Sequence, residues 1–371
     1  MYTKNDIIKL AKRYNNAKRS YLLVNPIQAK HCPVSPSVSF AMMDELGAIL
    51  KLRYPDAGII IGFAETATAI AARVAESFPG ALYLQTTRES FLDDGEYLIF
   101  AEEHSHAVEQ KIRRAPLEEA LKKTNTVILI DDEISTGKTM INIVERIRRE
   151  IGAAANAKFV CASIVNRVSP ENIEKMRLAG IECDQLLKIP SEDYESAVAD
   201  FCVSAPTESC SLPSSNKNIK THTLPFVRDP RAGVVSKDYY SECYATAESI
   251  ADTINAEVSG SVLVLGTEEC MYPALILGQV LEQRSKSVSV RCHATTRSPI
   301  GVLDSEGYPV RNGYAIHSMY EKDRRTYIYN VQKYDTVIIL TDAPAASDKG
   351  IQDLVNILSL HGCENFILLR R

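Results

Sequence analysis

The chain has 371 residues, with 42 Lys+Arg against 47 Asp+Glu and a net charge of −5. At about 100–200 residues per domain, that length predicts two or three domains. Hydrophobic residues at 45% and charged residues at 24% are globular proportions, which exclude disordered, collagen-like and fibrous classes. The acidic balance argues against nucleic acid as a partner, while leaving room for a small anion at one local site. The longest apolar tract, Ile59–Ala64, falls far short of the about 18 residues of a membrane span. The opening residues alternate charge with short apolar groups, unlike a signal peptide. Nine cysteines, an odd number with no CxxC pair, suit free thiols in a reducing compartment, so the expectation is a cytoplasmic protein.

From the N-terminus, short apolar runs alternate with helix-period stretches, the pattern of an α/β domain with a largely parallel sheet. Ala57–Phe63 predicts a strand, followed by helical spacing through Ile70, Val74 and Phe78. Ala81–Gln85 predicts a second strand, and Thr126–Ile130 a third, apolar throughout as a strand buried on both faces should be. Met140, Ile143, Val144, Ile147 and Ile151 then share one helix face, with Gly152 placed to end it. Phe159–Ile164 and Gln185–Ile189 predict further strands around a helix starting near Pro170.

Composition shifts to Ser, Pro, Asn, Thr and Lys after residue 202. The expected organisation is a first domain over 1–202, a linker over 203–222 and a second α/β domain over 223–371. In that last part Ser261–Leu265, Ser287–Cys292 and Thr336–Leu340 read as strands and Pro273–Glu282 as a helix, before a final helix–strand pair.

An internal repeat crosses the linker. Gly62-Phe63-Ala64-Glu65, Thr86-Thr87-Arg88 and a strand ending in Asp131-Asp132 recur as Gly266-Thr267-Glu268-Glu269, Thr295-Thr296-Arg297 and a strand ending in Thr341-Asp342. The distance from the first Thr of each triplet to the strand end is 45 residues in one copy and 46 in the other. The reading is one fold present twice, the second copy degenerate.

The stretch Val127–Thr139 carries the most chemistry. A buried strand ends in two acidic residues, followed by Ser135-Thr136-Gly137 and an amphipathic helix. Ligands of such sheets bind at the carboxyl ends of strands. A small polar loop entering a helix offers backbone N–H groups to a phosphate, and adjacent carboxylates suit a sugar diol. Gly137-Lys138-Thr139 looks like the end of a Walker A loop, but the glycine that motif needs five residues earlier is Asp132, so that reading fails. The plainer alternative is an acidic strand end with a solvated turn and no ligand.

The same stretch resembles the ribose-5-phosphate loop of type I phosphoribosyltransferases, with Thr136-Gly137-Lys138-Thr139 as its T-G-x-T core. The resemblance implies that Asp131 and Asp132 hold the ribose hydroxyls of phosphoribosyl pyrophosphate (PRPP), with Glu133 beside them. Ser135, Thr136, Gly137, Lys138 and Thr139 would wrap its 5-phosphate, although Lys138 departs from the small residue usual there. Ala64, Glu65 and Thr66 would form the pyrophosphate loop, with Arg88 as its basic partner. Mg²⁺ would accompany PRPP, with Asp131 and Asp132 as its candidate protein ligands.

The polar segment between Arg88 and Ala115 would form a hood over the site, carrying His104 and His106 for acid–base work or substrate contact. No third ligand at a recognisable spacing supports a zinc site there. Lys30-His31-Cys32-Pro33, ahead of the core strands, is a weaker candidate for lining the same site.

Residues 62–67, 86–88, 102–107 and 131–139 together resemble the orotate-phosphoribosyltransferase-like proteins of bacterial tellurium-resistance (ter) gene clusters. Thr296-Arg297-Ser298-Pro299 matches the signature of the TRSP domain that follows them. The implied fold is a type I phosphoribosyltransferase domain, a mainly parallel sheet with a hood, followed by a second, related α/β domain. The implied activity is Mg²⁺-dependent transfer of ribose 5-phosphate from PRPP to an unidentified small nitrogenous acceptor, making a nucleotide-like metabolite in a stress response. Rivals are a non-catalytic PRPP or nucleotide sensor, and a hydrolase or lyase using the same site. Expected partners are small molecules, with no nucleic acid and no membrane; a homodimer and products of the same gene cluster are the protein partners to consider. In the second domain Arg297 and its neighbouring hydroxyls are expected to take a different anion, with a structural salt bridge as the alternative.

Overall fold

The structure, a computed structural model, describes residues 2–16, 19–90, 95–101, 109–215, 217–225, 227–344 and 348–371. The chain divides into two compact units, each drawing segments from both halves of the sequence. Unit 1 comprises 1–2, 40–192 and 227–242, and unit 2 comprises 3–39, 193–226 and 243–371.

Unit 1 follows the alternation read from the sequence. After α1 (Pro36–Arg53), most of which lies in this unit, come β1 (Ile59–Gly62), α2 (Thr68–Ala75) and β2 (Leu82–Gln85). The hairpin β3 (Tyr97–Ala101) and β4 (Glu109–Arg113) leads into α3 (Arg114–Leu121). Then follow β5 (Thr126–Ile134), α4 (Lys138–Glu150), β6 (Lys158–Asn166), α5 (Pro170–Leu178) and β7 (Ile181–Lys188). The sheet runs β2-β1-β5-β6-β7, all parallel, and Val234–Val235 pairs antiparallel with the β2 edge. Val127–Ile130 of β5 are fully buried, as their unbroken apolar run requires. Met140, Ile143, Val144 and Ile147 turn inward from α4 onto the core that holds Ile59, Leu84 and Phe159.

Local chemistry sets several boundaries. Ser169 caps α5 by accepting from the Asn172 N–H at 3.3 Å, with Pro170 at the first helical position. Gly62 ends β1 where α2 crosses it, and a Cβ there would lie 2.4 Å from that of Ala71. Gly152, expected as the stop of α4, instead opens a 3₁₀ turn over Gly152–Ala154, and Ile151 leaves the helix with extended backbone.

Unit 2 repeats the plan. From Cys243 on, α6 (Ser236–Ile254) precedes β8 (Ser261–Gly266), α7 (Tyr272–Arg284) and β9 (Ser289–Ala294). The hairpin β10 (Gly313–His317) and β11 (Arg325–Tyr329) is followed by β12 (Thr336–Thr341), α8 (Asp348–Leu360) and β13 (Asn365–Arg370). Its sheet order, β9-β8-β12-β13, matches β2-β1-β5-β6 strand for strand, and a hairpin fills the same gap in each. The fifth strand is drawn from elsewhere in the chain: it follows β6 in unit 1, whereas in unit 2 it is Ile219–Thr223, which precedes β8. The edge strand β9 receives an antiparallel bridge from Val34 to Cys292, the counterpart of Val234–Val235 on β2.

The 203–222 stretch differs from the linker expected. Thr207–Glu208 pair with β10, and Ile219–Thr223 form a sheet edge on β13. An edge strand needs little apolar surface, and only Ile219 and His222 of these five are even half-buried. A hairpin of Lys9–Lys12 with Tyr21–Val24 also belongs to unit 2, where Ala11 and Val24 join Ile300 and Tyr329 in one core. Among the described residues no helix is long and apolar enough to cross a membrane.

Candidate functional site

In unit 1 the strands end unevenly. Pairing of β1 with β5 stops at Gly62–Ile130, but β5 runs on to Ile134 alongside β6. Asp131, Asp132 and Glu133 therefore belong to the strand rather than to a loop after it, and they extend past the end of β1. Alternation along a strand sends Asp131 and Asp132 to opposite faces, so a diol gripped by both must reach around the strand end. Both acids are half-buried, and the Asp132 N–H donates to Asp131 Oδ1 at 2.9 Å. Glu133, expected to face substrate, pairs instead with Arg167, the two side chains only 13% and 8% exposed. That pair braces β5 against β6.

Ser135 and Thr136 bend out of the strand, and Gly137 turns the chain into α4 with φ of +77°. This left-handed position suits glycine. The space is also closed, because a Cβ at 137 would lie 2.4 Å from Met176 Sδ on α5. The Lys138 N–H lies 3.4 Å from Thr136 Oγ1, and the Lys138 side chain is exposed, with Thr139 half-buried one residue further on. Thr136–Thr139 thus form a tight turn at the start of a 13-residue helix, the geometry that favours a phosphate.

Facing this turn along the strand ends is the Phe63–Ala67 segment. The Ala64 N–H donates to Thr86 Oγ1 at 2.8 Å, and Gln110 Nε2 donates to the Ala64 carbonyl at 2.8 Å. Gln110 also bonds Thr86, so a buried Thr–Gln pair holds the loop from both sides. Glu65 is buried, Thr66 half-buried, and Thr68 Oγ1 donates to the Glu65 carbonyl at 3.0 Å. Thr87 exchanges backbone bonds with Lys111 of β4 at 3.0 and 2.9 Å, which fixes half-buried Arg88 where β2 meets the hairpin. The expected hood is this β3–β4 hairpin. His104 and His106 lie outside the described residues.

Sequence reasoning missed Gln110, Arg167 and Lys188. Lys188 Nζ donates to Asn166 Oδ1 at 2.8 Å and to the Val168 carbonyl at 2.7 Å, and burial lowers its pKa. Each makes its bonds across 20 or more residues of sequence, where no local motif signals it. Thr86 did carry a signal, since its triplet recurs. The weaker candidate Lys30 lies in unit 2, fully buried, where Nζ donates to the carbonyls of Glu268 (3.1 Å) and Thr295 (2.9 Å).

Unit 2 repeats part of the loop scaffold. The Glu268 N–H donates to Thr295 Oγ1 at 2.9 Å, as that of Ala64 does to Thr86, and Thr296 pairs with Tyr327 as Thr87 does with Lys111. The chemistry differs. Arg297, expected to take an anion, has its Nε 3.1 Å from Glu268 Oε2 and its Nη2 3.8 Å from Glu269 Oε1. Two carboxylates inside the protein already balance its charge, so the salt-bridge alternative is the one observed. Among the described residues no three His, Cys, Asp or Glu side chains gather as a metal site.

Residues 7–191 match the family model described as phosphoribosyl transferase, and residues 230–358 match the TRSP domain found C-terminal to it. Together with the parallel sheet and hairpin, these matches meet the fold expected from the sequence. Adenine phosphoribosyl transferase from Trypanosoma brucei, solved with AMP, pyrophosphate and ribose-5-phosphate, is 15% identical over 51% of this chain and 80% of that one, with a TM-score of 0.37. The Giardia lamblia enzyme with 9-deazaadenine is 15% identical over 50% of this chain and 94% of its own, with a TM-score of 0.35. No curated protein matches the chain.

Proposed function

Because this chain belongs to the proteins in which a phosphoribosyl transferase domain precedes a TRSP domain, we propose that unit 1 transfers ribose 5-phosphate from PRPP to a small nitrogenous acceptor and releases pyrophosphate. The observation that carries this reading is the acidic end of β5, which extends past β1 into the Gly137 turn. A ribose diol at Asp131 and Asp132, a 5-phosphate at Ser135–Thr139 and a pyrophosphate at Ala64–Thr66 and Arg88 would lie along one row of strand ends.

Asp131 and Asp132 are hard oxygen donors, which suit Mg²⁺. The ion, when bound, would neutralise charge on the departing pyrophosphate. The protein's share is positional and electrostatic. Carboxylates beside the ribose favour the cationic character that develops as the glycosidic bond breaks. A loop held by Thr86 and Gln110 presents its backbone without reorganising. We further propose a nucleotide-like product, a stress-response setting and a cytoplasmic location.

The test is pyrophosphate release from PRPP with Mg²⁺ and a panel of nitrogenous bases. Asp131→Asn with Asp132→Asn should lower both PRPP affinity and kcat/KM at least tenfold, about 1.4 kcal/mol. PRPP binding without turnover across a broad panel would make unit 1 a sensor. Unchanged affinity in a folded double variant would remove the acidic pair from the site.

A further inference from the structure

In unit 2 the place that corresponds to the Ala64 loop contains a built-in anion. Glu268 is fully buried, and its carboxylate collects Ser318 Oγ at 2.6 Å, Arg324 Nη2 at 2.8 Å and Arg297 Nε at 3.1 Å. Two guanidinium groups and a hydroxyl around one pair of oxygens is the donor set a phosphate group receives. Here a side chain takes that role and occupies those donors.

The turn 318–324 that closes over Glu268 has another side. There a cavity of about 750 Å³ opens beside His317, Tyr320, Lys322, Arg325 and Lys349. That volume is within the range of small-molecule sites, about 300–1,000 Å³. Its polar groups are set firmly. Asp353 Oδ2 accepts from both the His317 main-chain N–H (2.9 Å) and Nδ1 (2.7 Å), which fixes the imidazole. Arg325 spans from His317 Nε2 (3.0 Å) to Glu208 Oε2 (3.1 Å).

Lys322 and Lys349 make no ion pair among the described residues, and both are exposed. Of the two acids at the cavity, Asp348 is taken by Arg370 at 2.7 Å, which leaves Asp323 as an acceptor for ligand hydroxyls. With Arg325 and Asp348 each already paired, two ammonium groups beside one carboxylate suit a small ligand with an anionic group and a hydroxyl.

We propose that this cavity binds a small phosphomonoester of sugar-phosphate size, and that Glu268, on the other side of the same turn, keeps a diphosphate out of the place that corresponds to the Ala64 loop. The site lies in unit 2 alone and needs no activity in unit 1.

The experiment counts sites on the full chain by calorimetry with ribose 5-phosphate as the probe. Lys322→Ala with Lys349→Ala, both at exposed positions, should remove one ribose 5-phosphate site per chain, or weaken it at least tenfold, with thermal stability unchanged. If unit 1 also binds the probe, the count falls from two to one, and otherwise from one to none. An unchanged count overturns the proposal in either case. Pyrophosphate binding should be the same in the unaltered chain and in Arg297→Ala; a pyrophosphate site that Arg297→Ala removes would overturn the exclusion. Glu268→Gln should add a pyrophosphate site; a folded variant without one would also overturn the exclusion. If that variant does not fold, the comparison of the unaltered chain with Arg297→Ala decides.

Discussion

Substituting Gly137 with alanine tests the turn at the heart of the unit 1 site. The residue sits at φ of +77°, where a Cβ costs about 1–2 kcal/mol. The new methyl would also lie 2.4 Å from Met176 Sδ and 3.1 Å from its Cγ, and forced overpacking of this kind costs about 1–3 kcal/mol. The expected loss is therefore about 2–5 kcal/mol, from two separable causes. Met176→Ala separates them. Alone it should cost about 2–5 kcal/mol, since the side chain is fully buried, but combined with Gly137→Ala it removes the overlap and leaves only the backbone term. Urea unfolding of the four chains should show the double variant more stable than the sum of the singles by about 1–3 kcal/mol. PRPP affinity of the folded alanine variant should fall at least tenfold, because the turn must shift where it meets the phosphate. A cost below about 0.5 kcal/mol, or an additive cycle, would refute the account of the turn. Normal affinity in a destabilised variant would make Gly137 purely structural.

Two further outcomes concern buried charge. Arg167→Met removes the buried guanidinium that pairs with Glu133 and should cost about 3–5 kcal/mol in urea unfolding, much of it recovered when Glu133→Leu is added; equal losses in both variants would count against the pair. His293 is fully buried, donating from Nε2 to the Tyr329 carbonyl at 2.7 Å, and desolvation lowers its pKa to about 4. The native state refuses a proton that the unfolded chain accepts below its ordinary value of 6.5, so stability falls as the pH drops from there towards 4, by about 3 kcal/mol in all. His293→Gln should flatten that slope, and an unaltered pH dependence would place the titration elsewhere.

The parts of the fold that were legible in the sequence are those whose cause is local. Val127–Ile130 announce a strand buried on both faces, Met140 to Ile147 mark a helix face, and Gly137 lies where small polar residues meet that helix. The recurring Thr-Thr-Arg triplet was legible because the same backbone bonds recur. What escaped depends on distant partners. Glu133 reads as one of three strand-end acids until Arg167 is beside it, and Arg297 reads as an anion binder until the buried carboxylate of Glu268 is seen. Ile219–Thr223 has the composition of a loop because an edge strand owes its place to backbone pairing with β13 rather than to apolar side chains.

The strands that cover β2 and β9 bear on how this chain can be divided. Val234–Val235, from the second half of the sequence, finish the unit 1 sheet, and Val34, from the first half, bridges to the edge of the unit 2 sheet. Cutting the polypeptide anywhere in 203–222 would strip unit 1 of 227–242 and unit 2 of 3–39. Each fragment would then carry a bare β-edge, the kind of surface that recruits other strands and aggregates. Expressed apart, the fragments should be poorly soluble; expressed together, each can supply the strand the other lacks. For two folds joined in this way, the smallest autonomous piece then spans both of them.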